Sequence, residues 1–328
     1  MSNMAIQILE RRQNMFQNNQ LANPNLSIDA IHDGRHDLGA KSLARESIPY
    51  IVVLPDEGIA FFTYTWVTKD SVAGAALSIF GPGVGSAPIQ LRLADRPVPR
   101  DMNFDGWSIE GFKMEHDLKF DRARVRWDTP EATIDFHFEA SHPPYAYGSH
   151  PRGCPSYAAD NRIEQAGRAK GTLRLGDRVI SFDATSHRDH SWGTRDWLAM
   201  QHYEWFVGQV GNDVAVHFWH LQALGQTEIR GFVYKNGLMA AVADVDVSVE
   251  FDKEYWQQRY TAKIVDEEGR VTEVSTQVFA HYTLVPDPGI HLRESGGRAA
   301  IDGKQGVGWM EVGWPKDYLD HINKNGPY

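Results

Sequence analysis

The segment His187-Arg188-Asp189-His190-Ser191-Trp192-Gly193-Thr194-Arg195-Asp196-Trp197 concentrates side chains able to do chemistry. Eleven residues include two His, two Asp, two Arg and two Trp. Imidazoles and carboxylates exchange protons with a substrate, and indole faces exclude water and attract cationic centres. The composition suits acid–base chemistry in an apolar pocket. The same residues could instead be a structural knot, with Arg–Asp pairs closing the end of a β-barrel. The two readings are compatible, because paired charges often hold a site in place.

Within this segment Asp189 and His190 are the first candidates for general acid and base. Burial would raise an Asp pKa enough to deliver a proton near neutral pH. His187 and His220 stand in reserve, and Asp196 is placed to orient a histidine or to pair an arginine. Five of the fourteen histidines and four of the ten tryptophans fall between 187 and 220. Trp192, Trp197, Trp205, Trp219 and Tyr203 are read as pocket walls, with Arg195 positioning Asp196 or a substrate oxygen. His202–Val210 and Val214–Gln222 form a hairpin about Gly211-Asn212-Asp213. A three-residue loop sets Glu204 opposite His220 and Trp205 opposite Trp219; a two-residue loop sets Tyr203 there instead, since one step of register flips every side chain. A Glu204–His220 pair would be a proton shuttle or simply a cross-strand tie. His187 and His190 have H-x-x-H spacing, but they lie outside a metalloprotease helix, and no metal is expected.

Composition bounds the rest. The chain has 328 residues, is 42% hydrophobic and carries a formal net charge of −10. A large core is affordable, and nucleic acid is excluded as a main partner because phosphate binding needs a basic stripe. One cysteine, Cys154, permits no internal disulfide and no Cys-based zinc site. No run of about 18 apolar residues suggests an integral membrane segment. The N-terminus lacks a signal-peptide pattern, so a cytoplasmic setting is expected. There is no G-x-S-x-G elbow, Walker A motif or strand–G-x-G-x-x-G–helix unit, so no cofactor is expected.

The elements that must position these residues are strands. Ile48–Leu54 and Ile59–Val67 flank a turn at Pro55-Asp56-Glu57-Gly58. In 133–140, Ile134, Phe136 and Phe138 alternate with Asp135, His137 and Glu139, giving one apolar and one solvated face. Asn236-Gly237 is a strong hairpin signal. Residues 5–20 have a weak helical pattern, 21–45 read as a loop or arm, and 141–161 form a Pro/Tyr/Gly-rich connector whose Tyr145, Tyr147 and Tyr157 could cover a barrel mouth. Some sixteen to eighteen short strands predict an all-β chain. They divide into an N-terminal arm at 1–44, a first β-domain at 45–161 and a second at 162–328.

Asp189-His190-Ser191-Trp192-Gly193, followed by Arg195-Asp196-Trp197, resembles the family containing hydroxyneurosporene synthase (carotenoid 1,2-hydratase). Arg45-Glu46-Ser47, Glu164-Gln165 and Gly306-Val307-Gly308-Trp309-Met310-Glu311 add to the resemblance, which spans about residues 45–314. It implies two lipocalin-like β-barrel or sandwich domains packed together, with a pocket in or between them for an apolar, isoprenoid or polyketide-like ligand. Relatives of that fold include cofactor-free hydratases and pericyclic cyclases.

The resulting expectation is a cofactor-independent lyase or isomerase that hydrates, dehydrates or cyclises a hydrophobic small molecule. The alternatives are a non-catalytic carrier of a lipophilic metabolite and, third, a metal-dependent hydrolase using His187, His190 and a carboxylate. A homo-oligomer is compatible with the sequence.

Overall fold

The computed structural model describes residues 20–326, so the weak helical pattern at 5–20 lies almost wholly outside the described residues. Twenty strands follow in chain order. They are β1 (Gln20–Leu21), β2 (Ala44–Leu54), β3 (Ile59–Thr68), β4 (Val72–Phe80), β5 (Ile89–Pro97), β6 (Trp107–Ile109), β7 (Phe112–His116), β8 (Arg122–Asp128), β9 (Ala132–Ala140), β10 (Tyr145–Ala146), β11 (Asn161–Leu175) and β12 (Arg178–Thr194). The remainder are β13 (Met200–Val210), β14 (Val214–Ala223), β15 (Gln226–Lys235), β16 (Leu238–Phe251), β17 (Gln257–Asp266), β18 (Val271–Asp287), β19 (Ile290–Ile301) and β20 (Lys304–Pro315). A closing helix, α1 (Lys316–Asn325), was not anticipated from sequence.

The first sheet runs β5-β4-β3-β2-β12-β11-β9-β8-β7-β6, with β10 added beside β11. The second runs β16-β15-β14-β13-β20-β19-β18-β17 and closes through β16–β17, while β1 pairs in parallel with β16. The chain is all-β, with two barrel-like sheets of lipocalin-like form. The sheets divide between Thr194 and Met200, whereas the sequence reading put the division at 161/162. The reason is the β11–β12 hairpin, whose fifteen-residue ladder from Asn161↔Trp192 to Leu175↔Arg178 extends the first sheet. The supposed arm is also built in: Asp33 is buried against His116 and Arg188 of the first sheet. No described helix is long and apolar enough to cross a membrane.

The sequence texture follows from what each face meets. Strand β9 alternates because Ile134, Phe136 and Phe138 face the inside of the first sheet while Asp135, His137 and Glu139 face out. Strand β2 is apolar on both faces for a different reason. Tyr50, Val52 and Leu54 fill the first sheet, and Ile51 and Val53 pack on the second. A core between the sheets therefore joins the two interior cores, containing Phe62, Phe80, Trp205, Trp219, Tyr282 and Trp309. Each large side chain buried there contributes about 1.5–3 kcal/mol. Tyr145 and Tyr147 from the connector are fully buried in this layer, so they form a wedge between sheets and not a lid.

Candidate functional site

Between the two sheets lies a cavity of about 100 Å³ that opens to solvent. Three neighbouring strands of the first sheet supply its polar wall: Arg45 from β2, Arg162 from β11, and Asp189 and Ser191 from β12. The turn after β12 adds Arg195 and Trp197. Facing them are Trp205 on β13, Glu294 on β19, and Trp309 and Glu311 on β20. Phe62, Tyr64 and Trp66 make an aromatic flank from β3. An aromatic enclosure with a few convergent polar groups is the usual form of a small-molecule site.

Period-two alternation decides who reaches the cavity. His187, Asp189 and Ser191 share the face of β12 that meets the second sheet, while Arg188, His190 and Trp192 point the other way. Gly193 ends this run at φ +111°, where a Cβ would strike Asp160.

One guanidinium serves two acids. Arg162 Nε donates to Glu164 Oε1 and Nη2 to Asp189 Oδ2, each at 2.6 Å. Glu164 and Asp189 are directly opposed across the ladder, so their charges compete for Arg162. Glu164 has more help: His187 Nε2 lies 2.7 Å from Oε2, and Trp205 Nε1 donates to Oε1 at 3.0 Å. Although burial opposes its charge, Arg162, His217 and His187 hold Glu164 well below the usual carboxylate range. Asp189 lacks these donors. Burial, reinforced by Glu164, pushes its pKa up to about 8 against the pull of Arg162. Asp189 is thus the carboxyl of the pair that favours holding a proton.

A second acid pair faces the cavity from the other sheet. Glu294 and Glu311 are directly opposed on β19 and β20. Trp309 Nε1 donates to Glu294 Oε2 at 2.7 Å, and the Tyr203 hydroxyl donates to Glu311 Oε1. Burial first, then the neighbouring Glu311, raises Glu294 well above the ordinary carboxylate range.

Of the residues singled out from sequence, Asp189, Arg195, Trp197 and Trp205 line the cavity. Tyr203 and Trp219 sit just behind it: Tyr203 holds Glu311, and the Trp219 ring lies 5.6 Å from the Arg162 guanidinium carbon. His187 braces Glu164 and reaches the cavity only through it. The pairing of Asp189 with His190 as acid and base does not survive, because the two occupy opposite faces of β12. His190 is fully buried in the first sheet with Nε2 2.6 Å from Glu46 Oε1, and burial lowers its pKa. Trp192 lies on that side too, its ring 3.9 Å from His36. Asp196 caps the short turn Trp197–Ala199 by accepting from Leu198 N at 3.1 Å. Glu204 does oppose His220, as the three-residue loop requires. Neither lines the cavity, and Glu204 ties His202 and His220 at 3.0 Å each.

Arg162, Glu294 and Glu311 were not assigned as site residues from sequence. They sit apart from the His/Trp segment in the chain, and of the three only Glu311 lay in a motif that gave a signal. Arg45-Glu46-Ser47, Glu164-Gln165 and Gly306–Glu311 carry the family resemblance, and each ends beside or in the cavity.

Two groups among the described residues have metal-ligand chemistry: His36, Glu46 and His190, and Glu164, His187 and His217. His187 and His190 belong to different groups on different faces of β12, which removes the H-x-x-H ligand pair of the hydrolase reading. In the second group Arg162 already neutralises Glu164, and His217 Nε2 is 2.8 Å from the Tyr147 hydroxyl. That group is a satisfied hydrogen-bond network.

The model of the family described as Domain of unknown function (DUF7064) matches residues 29–316, and the chain belongs to this family. Kievitone hydratase from Nectria haematococca has a similar structure, with TM-score 0.63 at 10% identity over 92% of this chain and 97% of that one. CghA is similar at TM-score 0.58 and 13% identity over 83% of this chain and 87% of that one. The structure of CghA with Sch210972 aligns equally well, at TM-score 0.58 and 13% identity over 83% and 88%. No curated protein matches by sequence. At these identities the likeness shows the fold, the two-sheet lipocalin-like architecture expected from sequence; it does not extend to the name hydroxyneurosporene synthase.

Proposed function

As a member of the DUF7064 family, this chain is, we propose, a cofactor-independent lyase or isomerase that hydrates, dehydrates or cyclises an apolar small molecule held between the sheets. The carrying observation is that three carboxyl groups, Asp189, Glu294 and Glu311, line one aromatic cavity, where burial raises the pKa of Asp189 and Glu294. In this reading Asp189 is the general acid. It protonates an alkene carbon or a leaving hydroxyl, while Arg162 and Glu164 hold its carboxyl in place. The Glu294–Glu311 pair accepts the proton released on the opposite side of the substrate. The faces of Trp205 and Trp309 stabilise positive charge that develops between them. The fold shared with kievitone hydratase fits this class without fixing the reaction.

The test is untargeted mass spectrometry of an apolar metabolite extract incubated with wild-type protein or Asp189→Asn. The proposal expects a substrate–product pair, isobaric or differing by one water, formed by wild type and lost in the variant. A compound bound and recovered unchanged from both proteins would make the chain a carrier.

A further inference from the structure

The cavity's arginines are unequally satisfied, and this points to the ligand. Arg162 is saturated by Glu164 and Asp189. Three others line the same cavity, Arg45, Arg92 and Arg195, and none has a carboxylate partner among the described residues. Arg195 donates only to Ser191 Oγ, at 2.7 Å, and lies over the Trp197 ring. Arg45 donates to the Tyr64 hydroxyl and stacks on Tyr64 and Trp66, and Arg92 lies over Trp66 as well. The Nε atoms of Arg45 and Arg195 are buried and have no acceptor. Elsewhere the fold pairs its buried arginines, as Arg188 with Asp33 shows. Arg92 is exposed, but Arg45 and Arg195 are half-buried, and unpaired guanidinium charge held there is unfavourable unless a ligand supplies the counter-charge. Burial raises the pKa of Asp189 and Glu294, which disfavours their charged forms, and Glu311 is engaged by the Tyr203 hydroxyl and forms no ion pair with these arginines among the described residues.

We propose that Arg195 and Arg45 form an anion-binding subsite, so that the substrate is an apolar molecule carrying one anionic oxygen group, a carboxylate or an ionised enol. This rests on the cavity being the active site and adds its substrate class. The anionic head sits on the free Nε–H groups, and the apolar body lies along Phe62 and Trp309. The reacting carbon then faces Asp189, whose carboxyl is within electrostatic reach of both Arg195 and Glu311. A guanidinium fork matches a carboxylate or enolate better than a neutral carbonyl, so the subsite also fixes the orientation of the substrate.

Titration calorimetry of the full chain at pH 7.5 tests this with a matched pair of probes, naphthalene-2-carboxylate and its methyl ester. The acid is expected to bind about ten- to a hundred-fold more tightly than the ester. Arg195→Met and Arg45→Met should each remove most of that preference while changing ester affinity by no more than about two-fold. Arg195→Lys should restore part of it, and thermal melts identify any variant that fails to fold. Equal affinity for acid and ester, unchanged in both arginine variants, would overturn the anion subsite and leave the cavity as a binding site. If neither probe bound, the subsite and the assignment of the cavity would fall together.

Discussion

Arg162→Met is the perturbation that tests most sharply how the site is held. Arg162 makes two charge-assisted hydrogen bonds at 2.6 Å, and its guanidinium carbon lies 5.6–5.7 Å from the ring centroids of Tyr147, Trp205 and Trp219. Methionine preserves most of the stem packing, so the loss is mainly electrostatic. Asp189 favours its neutral form and loses one hydrogen bond. Glu164 is left as a buried carboxylate with His187 and Trp205 but without its fixed cation. Removing one partner of a buried pair costs about 3–5 kcal/mol, whereas neutralising both is often tolerated. Arg162→Met should therefore lose about 3–5 kcal/mol in urea unfolding at pH 7. The double variant Arg162→Met/Glu164→Gln should recover to within about 1–2 kcal/mol of wild type. Following unfolding by both tryptophan fluorescence and circular dichroism checks that one transition is being read. A single variant costing less than about 1 kcal/mol, or a double variant no more stable than the single, would refute the charge assignment.

Glu294→Gln should become more stable than wild type as pH rises. A carboxyl whose pKa is raised on folding contributes stability at low pH and loses it as pH climbs through the folded value, and the amide has no charge to develop. Melting temperatures of both proteins at pH 6 and pH 9 check the sign. Glu204→Gln should destabilise by about 1 kcal/mol near pH 5.5 and leave binding in the inter-sheet cavity unchanged. Its folded pKa is held down to about 2 although burial opposes this, through its bonds to His202 and His220, so its contribution is present above the ordinary value of 4.5 and is lost as pH falls; that of His220, raised by the same bond, is lost as pH rises. Denaturation at pH 5.5 and pH 8.5 should show the cost shrinking at the higher pH. Gly313→Ala would drive a Cβ into the Tyr203 ring, which lies flat on that glycine, and should cost about 1–3 kcal/mol in urea unfolding.

Much of this architecture was legible because strands announce themselves by period. Strand β9 and the Asn236-Gly237 hairpin read directly, and Asn236 and Gly237 take φ of +54° and +73°. The three-residue loop correctly set Glu204 opposite His220. The sheet boundary was not legible, since nothing local distinguishes a hairpin that ends one sheet from a hairpin that begins the next. The same limit applied to the site. Composition located the His187–Trp197 segment, yet its strand alternation sends Asp189 to the cavity and His190 into a separate buried cluster with Glu46. Arg45, Glu294 and Glu311 reach Asp189 only through pairing across β2–β12 and the contact between sheets. Those contacts are long-range and leave no spacing in the chain.

The central claim is that Asp189 is a protonated acid in the inter-sheet cavity. Infrared difference spectroscopy of wild type against Asp189→Asn, taken along a pH series, measures this directly through the carbonyl stretch of a protonated carboxyl. The account predicts that the band is present at pH 6 and disappears as pH rises through about 8. An Asp189 already ionised at pH 6 would contradict it and would make Arg162 the full counter-ion of Asp189.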